Sequence, residues 1–139
     1  MPTQPDNVVL NKAAIIERSL RRMKEEYGFN PKLDNYTHLD AMILNIERAC
    51  QAAIDMAQHL SAVHHAGMPQ TSADAFLLLE KQGLLSSRTA KAMVKMTGFR
   101  NVIIHEYQEL ELEIVKAVVE KEYIALMDFC RENGVTIIV

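Results

Sequence analysis

The sequence lacks the features that membrane proteins, disulfide-stabilised proteins and multidomain chains depend on. Among its 139 residues are 2 cysteines, 5 glycines, 4 prolines and no tryptophan. No linker, repeat or low-complexity tract divides the chain, and no apolar run approaches the ~20 residues of a transmembrane helix. No charged-then-apolar leader precedes the first periodic segment, so we expect a cytoplasmic protein.

Cysteine placement argues against a metal or redox site, and the net charge argues against a strongly basic nucleic-acid-binding domain. Cys50 and Cys130 occupy apolar positions and neither belongs to a C-x-x-C pair, so we expect buried free thiols in a reducing compartment rather than metal or redox chemistry. The net charge of −3 is not that of a strongly basic nucleic-acid-binding domain. Any contact with nucleic acid must therefore come from a local site.

The chain contains 8 methionines, and its apolar residues recur at helical spacing. Both features are typical of packed helices. The first apolar stripe consists of Val9, Ala13, Ile16, Leu20, Met23 and Tyr27. A long second helix is predicted from a cap at Thr37 to about Val63, and a short third helix from a cap at Ser72. The fourth helix is predicted from about Ser87 past Arg100, and the fifth over roughly 111–133.

These segments predict an all-α fold, an antiparallel bundle of four long helices plus one short helix. Residues 1–139 are expected to form a single domain with a core over about 8–132. The apolar segment 135–139 follows the last helix. The pattern leaves open whether this tail docks or frays.

Four groups able to contact phosphate crowd into the end of the fourth helix: Arg100, Asn101, His105 and Tyr107. Histidine can take and give a proton near neutral pH, and arginine presents a charged fork that matches phosphate oxygens. Cleavage of RNA by its own 2′-hydroxyl needs a base, an acid and donors around the phosphorus. This set supplies all three without a metal or another cofactor.

Helix geometry argues that two copies of this segment cooperate. Arg100 and His105 point roughly 140° apart on an ideal helix, so one copy aims both at one phosphate only if the helix ends or distorts between them. A two-fold homodimer would supply two histidines and two arginines around a shared cleft. Gly98 would let another backbone approach closely.

Plainer interpretations remain open beside this one. On spacing alone, Arg100 and His105 serve equally well as caps of helix carbonyls. Asp55 and His59, four residues apart, are favoured as a surface pair or an inter-helix contact over a metal site. The basic stripe of Arg88, Lys91 and Lys95 can receive RNA phosphates beside the cut site or be a solvated face. The acidic Glu106, Glu109, Glu111 and Glu113 suit the N-terminus of the fifth helix and can equally form a docking surface for a partner protein.

The segment 98–107, GFRNVIIHEY, resembles the R-x4-H-x-Y signature of the HEPN superfamily in its HepT-like branch. The stretch 46–60 is similar to that branch's long second helix, and the likeness spans roughly residues 8–132. It implies a helical homodimer with a metal-independent endoribonuclease site for tRNA or mRNA. It also implies a toxin whose partner, an MNT-type minimal nucleotidyltransferase antitoxin, inactivates it by AMPylation of the motif tyrosine.

Carried over by position, the resemblance implies a role for each motif residue. His105 would be the general acid or base and Arg100 would stabilise the pentacoordinate phosphate. Asn101 would support them, and Tyr107 would line the cleft and accept AMP. The alternative is a non-catalytic module that uses Arg100 and His105 to bind nucleotide or to present substrate to a nucleotidyltransferase.

Overall fold

The computed structural model describes residues 4–105 and 112–139, with the backbone alone for Ile104 and His105. All regular structure in these ranges is helical, as the sequence predicts. The elements in chain order are α1 (Asn7–Phe29), α2 (Tyr36–Val63), α3 (Ser72–Lys81), α4 (Ser87–His105), α5 (Leu112–Ala117), a π-helical turn (Val118–Glu122) and α6 (Ile124–Glu132).

Side-chain pairs fix the direction of neighbouring helices. Contacts between α1 and α2 run in opposite sequence directions: Asp6, just before α1, contacts His59, whereas the later Lys12 contacts the earlier Asp55. The last helical segment likewise runs against α4, because Arg88 pairs with Asp128 whereas Lys95, two turns further along α4, pairs with the earlier Glu122. These two helix pairs are therefore antiparallel.

The core is built from the stripes that the sequence marks as apolar. Phe76 of α3 meets Phe129 of α6 edge to face, with ring centroids 5.2 Å apart. Around them lie fully buried side chains from α1, α2 and α4, among them Ile16, Leu20, Met23, Met42, Ile46, Met56 and Met93. Burial of these faces is what holds the helices at their mutual positions.

The predicted fifth helix is not one uninterrupted α-helix. Its described part consists of α5, the π-helical turn and α6, because the amide of Tyr123 donates to the carbonyl of Val118, five residues back. A π turn holds one extra residue, and such turns occur singly within α-helices. The apolar pattern cannot reveal it, since Val115 before the turn, Val119 within it and Leu126 after it are all buried.

The caps of α2 and α3 lie before the residues that the sequence suggests. Asn35, not Thr37, is the N-cap of α2, and its side-chain oxygen accepts from the amides of Thr37 and His38. Thr71, not Ser72, caps α3. Each predicted cap lies inside its helix, because neighbouring residues are equally suited to capping and the incoming loop decides which is used.

Replacing Asn35 with alanine should lower the free energy of unfolding by about 1 kcal/mol, since two first-turn amides lose their acceptor. Thr37→Ala is the matched control: it is also exposed, lies two residues away and should change stability by less than about 0.5 kcal/mol. Urea denaturation of both variants measures the difference. Equal losses would contradict the assignment of the cap.

The C-terminal tail docks on α1 of its own chain. Ile137 is buried, the amide of Ile138 donates to Glu17, and Arg21 donates to the carbonyl of Ile138. Because both backbone groups of Ile138 are bonded, the segment is fixed rather than frayed. Within the described ranges, no helix combines the length and apolar character that crossing a bilayer requires.

Candidate active site

Arg100 lies where α4 packs against α2. Its Nη2 donates to Oε1 of Gln51 at 2.9 Å, and its side chain is partly exposed. The Nε atom is buried and has no hydrogen-bond partner among the described residues. Because the side chain is partly exposed, its guanidinium can donate to an added acceptor, such as a phosphate oxygen, while Nη2 is held by Gln51.

The contact to Gln51 continues into a polar chain across three helices. Nε2 of Gln51 donates to Oδ1 of Asp55 at 2.9 Å, and Oδ2 of Asp55 lies 3.4 Å from Nζ of Lys12. Sequence reasoning did not identify Gln51, which is separated from Arg100 by 49 residues. The available signal was its position four residues before Asp55, which places both on one face of α2.

The other motif residues are described to different extents. Asn101 is exposed beside Arg100, and His105 is the last residue of α4, its side chain outside the described part of the structure. Tyr107 lies outside the described residues. The α4 backbone stays helical from Arg100 to His105, so these two residues are separated by five positions of unbroken helix.

Cys50 lies next to Gln51 but is not a nucleophile. Burial raises the pKa of its thiol to about 12, Arg100 opposes the rise and Glu47 adds to it. Burial likewise raises the pKa of Cys130 to about 12. Both cysteines are buried free thiols, as the sequence suggests, and at neutral pH both are protonated.

The basic stripe on α4 faces carboxylates. Arg88 lies 3.6 Å from Asp128, and Lys95 lies 3.2 Å from Glu122. Lys91 is exposed between them. The two ion pairs reduce the positive charge that the stripe can offer to phosphate. Of the acidic set, Glu113 lies in the first turn of α5, whereas Glu106, Glu109 and Glu111 lie outside the described residues.

Asp55 and His59 do not pair with each other. His59 contacts Asp6 at 2.6 Å, and the hydrogen bond to His59 lowers the pKa of that carboxyl. Asp55 instead contacts Gln51 and Lys12. Both residues thus make inter-helix contacts with the N-terminal region of the chain. In the ranges the structure covers, no three His, Cys, Asp or Glu side chains cluster to hold a metal.

A cavity of about 710 Å³ lies at the other end of α4, next to Ser86 and Leu85. Arg100 lies fourteen positions after Ser86, a helical rise of roughly 21 Å. Glu132 lines the cavity and accepts from the amide and hydroxyl of Ser86. Burial raises the pKa of Glu132, but the hydrogen bonds outweigh it and the pKa is lowered overall. Glu132 thus binds Ser86, which precedes α4, whereas Arg100 lies near the other end of that helix, so the cavity is separate from the Arg100 region.

Known proteins share both the sequence and the fold. The chain is 38% identical over 116 residues to the mRNA nuclease HepT of Shewanella oneidensis, covering 83% of this chain and 87% of the relative. It is 30% identical over 108 residues to the tRNA nuclease HepT of Aphanizomenon flos-aquae, covering 75% and 72%.

Solved structures with the same fold are toxin–antitoxin complexes. One contains the tri-AMPylated Shewanella oneidensis HEPN toxin with its MNT antitoxin, at a TM-score of 0.86 and 35% identity, covering 92% of this chain and 97% of the other. A second, a toxin–antitoxin complex with AMP-PNP, has a TM-score of 0.88 and 34% identity, covering 94% and 100%. The family model for HepT-like ribonucleases matches residues 12–132. The chain therefore belongs to the HepT-like ribonuclease family.

Proposed function

We propose that this protein is the toxin of a toxin–antitoxin pair and cuts tRNA or mRNA as a metal-independent endoribonuclease. Its site is formed by the R-x4-H segments of two copies of the chain. The proposal depends on one observation: the cation of Arg100 is held at the surface of α4 by a neutral acceptor, Gln51. It is supported by the membership of the chain in a ribonuclease family. Residues 1–139 act as one domain.

Arg100 would bind the phosphate that is cut. In the part of the chain that the structure describes, no carboxylate lies within ion-pair distance of its guanidinium. None of the described carboxylates neutralises the guanidinium, whose positive charge would stabilise the extra negative charge that develops on a pentacoordinate phosphorus. Asn101, exposed on the next position of the helix, would add a neutral donor.

His105 would carry the proton transfers. One imidazole takes the proton of the 2′-hydroxyl, whose oxygen attacks phosphorus. The bond to the 5′-oxygen breaks, and a second imidazole gives that oxygen its proton. The products are a 2′,3′-cyclic phosphate and a 5′-hydroxyl. A base and an acid are needed at the same moment, and each chain brings one histidine in this segment.

A two-fold pair of chains would satisfy both requirements. The α4 backbone is helical through His105, and positions 100 and 105 of an ideal helix are roughly 140° apart around its axis, so we expect the arginine of one copy to act with the histidine of the other. The surface beside Arg100 has room for a second copy: a Cβ atom on Gly98 would meet nothing within 4 Å. On α2, Leu44 lies two turns before Gln51 and is 44% exposed, which suits an apolar contact.

The partner would be an MNT-type nucleotidyltransferase that transfers AMP to Tyr107. One solved relative, at 35% identity, is tri-AMPylated and bound to an MNT antitoxin, and another, at 34% identity, is a toxin–antitoxin complex with AMP-PNP. An added AMP would bring bulk and a negative phosphate to the motif, where it would repel an RNA phosphate.

Purified protein incubated with tRNA or an mRNA fragment in the presence of EDTA tests the proposal. We expect fragments that end in a 2′,3′-cyclic phosphate. The matched control is the same RNA with 2′-deoxy residues, which should stay intact because it lacks the attacking hydroxyl. RNA that is bound but never cut would favour a nucleotide-binding module instead. Cleavage that EDTA abolishes, or that the deoxy substrate also undergoes, would contradict the mechanism.

A further inference from the structure

The guanidinium of Arg100 is held in place by a side chain from another helix. Oε1 of Gln51 on α2 accepts from Nη2 at 2.9 Å, whereas Arg100 belongs to α4. The long side chain of an arginine has many rotamers, and holding it in one of them costs conformational entropy. A fixed acceptor offsets that cost before a phosphate arrives.

The amide of Gln51 can lie only one way round. Its oxygen faces a group that only donates, and its nitrogen faces Asp55, whose ionised carboxylate only accepts. Turning the amide over would place two donors together at one end and two acceptors at the other. Lys12 in turn holds the second oxygen of Asp55 at 3.4 Å. Side chains of α1 and α2 therefore fix the acceptor that Arg100 meets.

The neutrality of Gln51 has its own consequence. A carboxylate at this position would form an ion pair with Arg100 and compete with any phosphate for the same nitrogens. An amide orients the guanidinium and leaves its charge unneutralised. The nearby negative charge belongs to Asp55, which accepts from the nitrogen of the Gln51 amide rather than from Arg100. Lys12 forms an ion pair with that carboxylate.

We propose that Gln51 is a positioning residue of the nuclease site, which holds Arg100 ready for the substrate phosphate without neutralising it. This rests on the proposed function of Arg100 as the phosphate-binding group. Gln51 does not touch the RNA; it acts through Arg100. Asp55 serves the same end by fixing the orientation of the amide.

Two variants of Gln51 separate position from charge. Gln51→Leu removes the acceptor and should lower the rate of RNA cleavage on the order of 10- to 100-fold, because the cation is no longer held in place. Gln51→Glu keeps an acceptor but adds a charge, and should weaken binding of a 2′-deoxy oligonucleotide by about tenfold. The affinity of the Gln51→Glu variant for this oligonucleotide should also depend less steeply on salt concentration, as expected for the loss of one phosphate contact.

Gln58→Glu is the matched control, since Gln58 lies two turns further along α2 and is exposed. It adds the same charge and should leave both cleavage and binding unchanged. The changes at Gln51 should also disappear when Arg100 is replaced by alanine, because a residue that acts through Arg100 has nothing left to position. Oligonucleotide binding by the double variants, with melting temperatures to exclude unfolding, measures this coupling.

The outcomes distinguish this inference from the proposed function. If the unchanged protein cuts RNA and the Gln51 variants cut and bind equally well, positioning by Gln51 is wrong and the nuclease assignment stands. Losses that add to those of Arg100→Ala would also overturn it. If the unchanged protein binds the oligonucleotide without cutting RNA, the nuclease proposal fails, and the coupling between Gln51 and Arg100 still decides the inference. No binding at all overturns both.

Discussion

His105→Ala is expected to slow RNA cleavage by about 10²- to 10⁴-fold, the usual loss when a general acid or base is removed. The variant should keep its binding affinity for a 2′-deoxy oligonucleotide, because Arg100 and its contact to Gln51 remain. Single-turnover cleavage rates and equilibrium binding measure the two effects separately. Between pH 5 and 8 the unchanged protein should show a bell-shaped rate profile, since one imidazole must be neutral and the other charged.

His64→Ala is the control for the loss of an imidazole as such. His64 is the C-cap of α2 and lines the cavity beside Ser86, at the opposite end of α4 from the motif. Its replacement should leave the cleavage rate unchanged. Full activity of the His105→Ala variant would remove this histidine from the mechanism, even if Arg100 still proved essential.

Dimers with one intact and one His105→Ala chain test whether two histidines share a site. If one imidazole is the base and the other the acid, the mixed dimer should cut almost as slowly as the doubly substituted dimer. Two independent sites would instead retain half of the rate. Purification through different tags on the two chains isolates the mixed species.

The helical faces could be predicted from the sequence because burial and helical periodicity are directly coupled. Val9, Ala13, Ile16 and Leu20, chosen by spacing alone, are all buried in the structure. Gly83 directly follows the C-cap of α3 and has a φ of 75°, the left-handed conformation that suits glycine after a helix. Such features depend only on residues close in the chain, so a single sequence contains them.

Features that depend on tertiary packing could not be predicted. The π-helical turn leaves the apolar pattern intact, and the choice of Asn35 over Thr37 as a cap is made by the loop that precedes α2. The docking of Ile138 on Glu17 joins residues 121 positions apart. The sequence around each of these residues does not indicate which distant residue it contacts in the fold.

The candidate site likewise combines a residue that the sequence indicates with one that only tertiary packing reveals. Arg100 stands out because four phosphate-binding groups are dense in its segment, whereas Gln51 is one polar residue among many on α2. Only the packing of α4 on α2 brings the two together. His59 also depends on packing: its spacing from Asp55 left open a local pair or an inter-helix contact, and the fold places it against Asp6.

Tyr107→Phe is expected to abolish AMP transfer to the protein. In the transfer, the phenol oxygen attacks the α-phosphorus of ATP, pyrophosphate leaves and the phenol proton is lost, so a ring without the hydroxyl cannot react. Incubation with an MNT-type nucleotidyltransferase and ATP labelled at the α-phosphate measures it. The variant should remain an active nuclease under conditions that silence the unchanged protein.

Tyr36→Phe is the matched control because accessibility alone does not account for the choice of tyrosine. Tyr36 is 75% exposed at the start of α2, so a transferase guided only by exposure would label it. We expect full labelling of this variant; label that persists on Tyr107→Phe, or disappears from Tyr36→Phe, would contradict a motif-directed transfer. The modified protein should lose oligonucleotide binding but keep its melting temperature. Repulsion of the incoming phosphate, rather than disruption of the helical core, would then explain how AMP silences the enzyme.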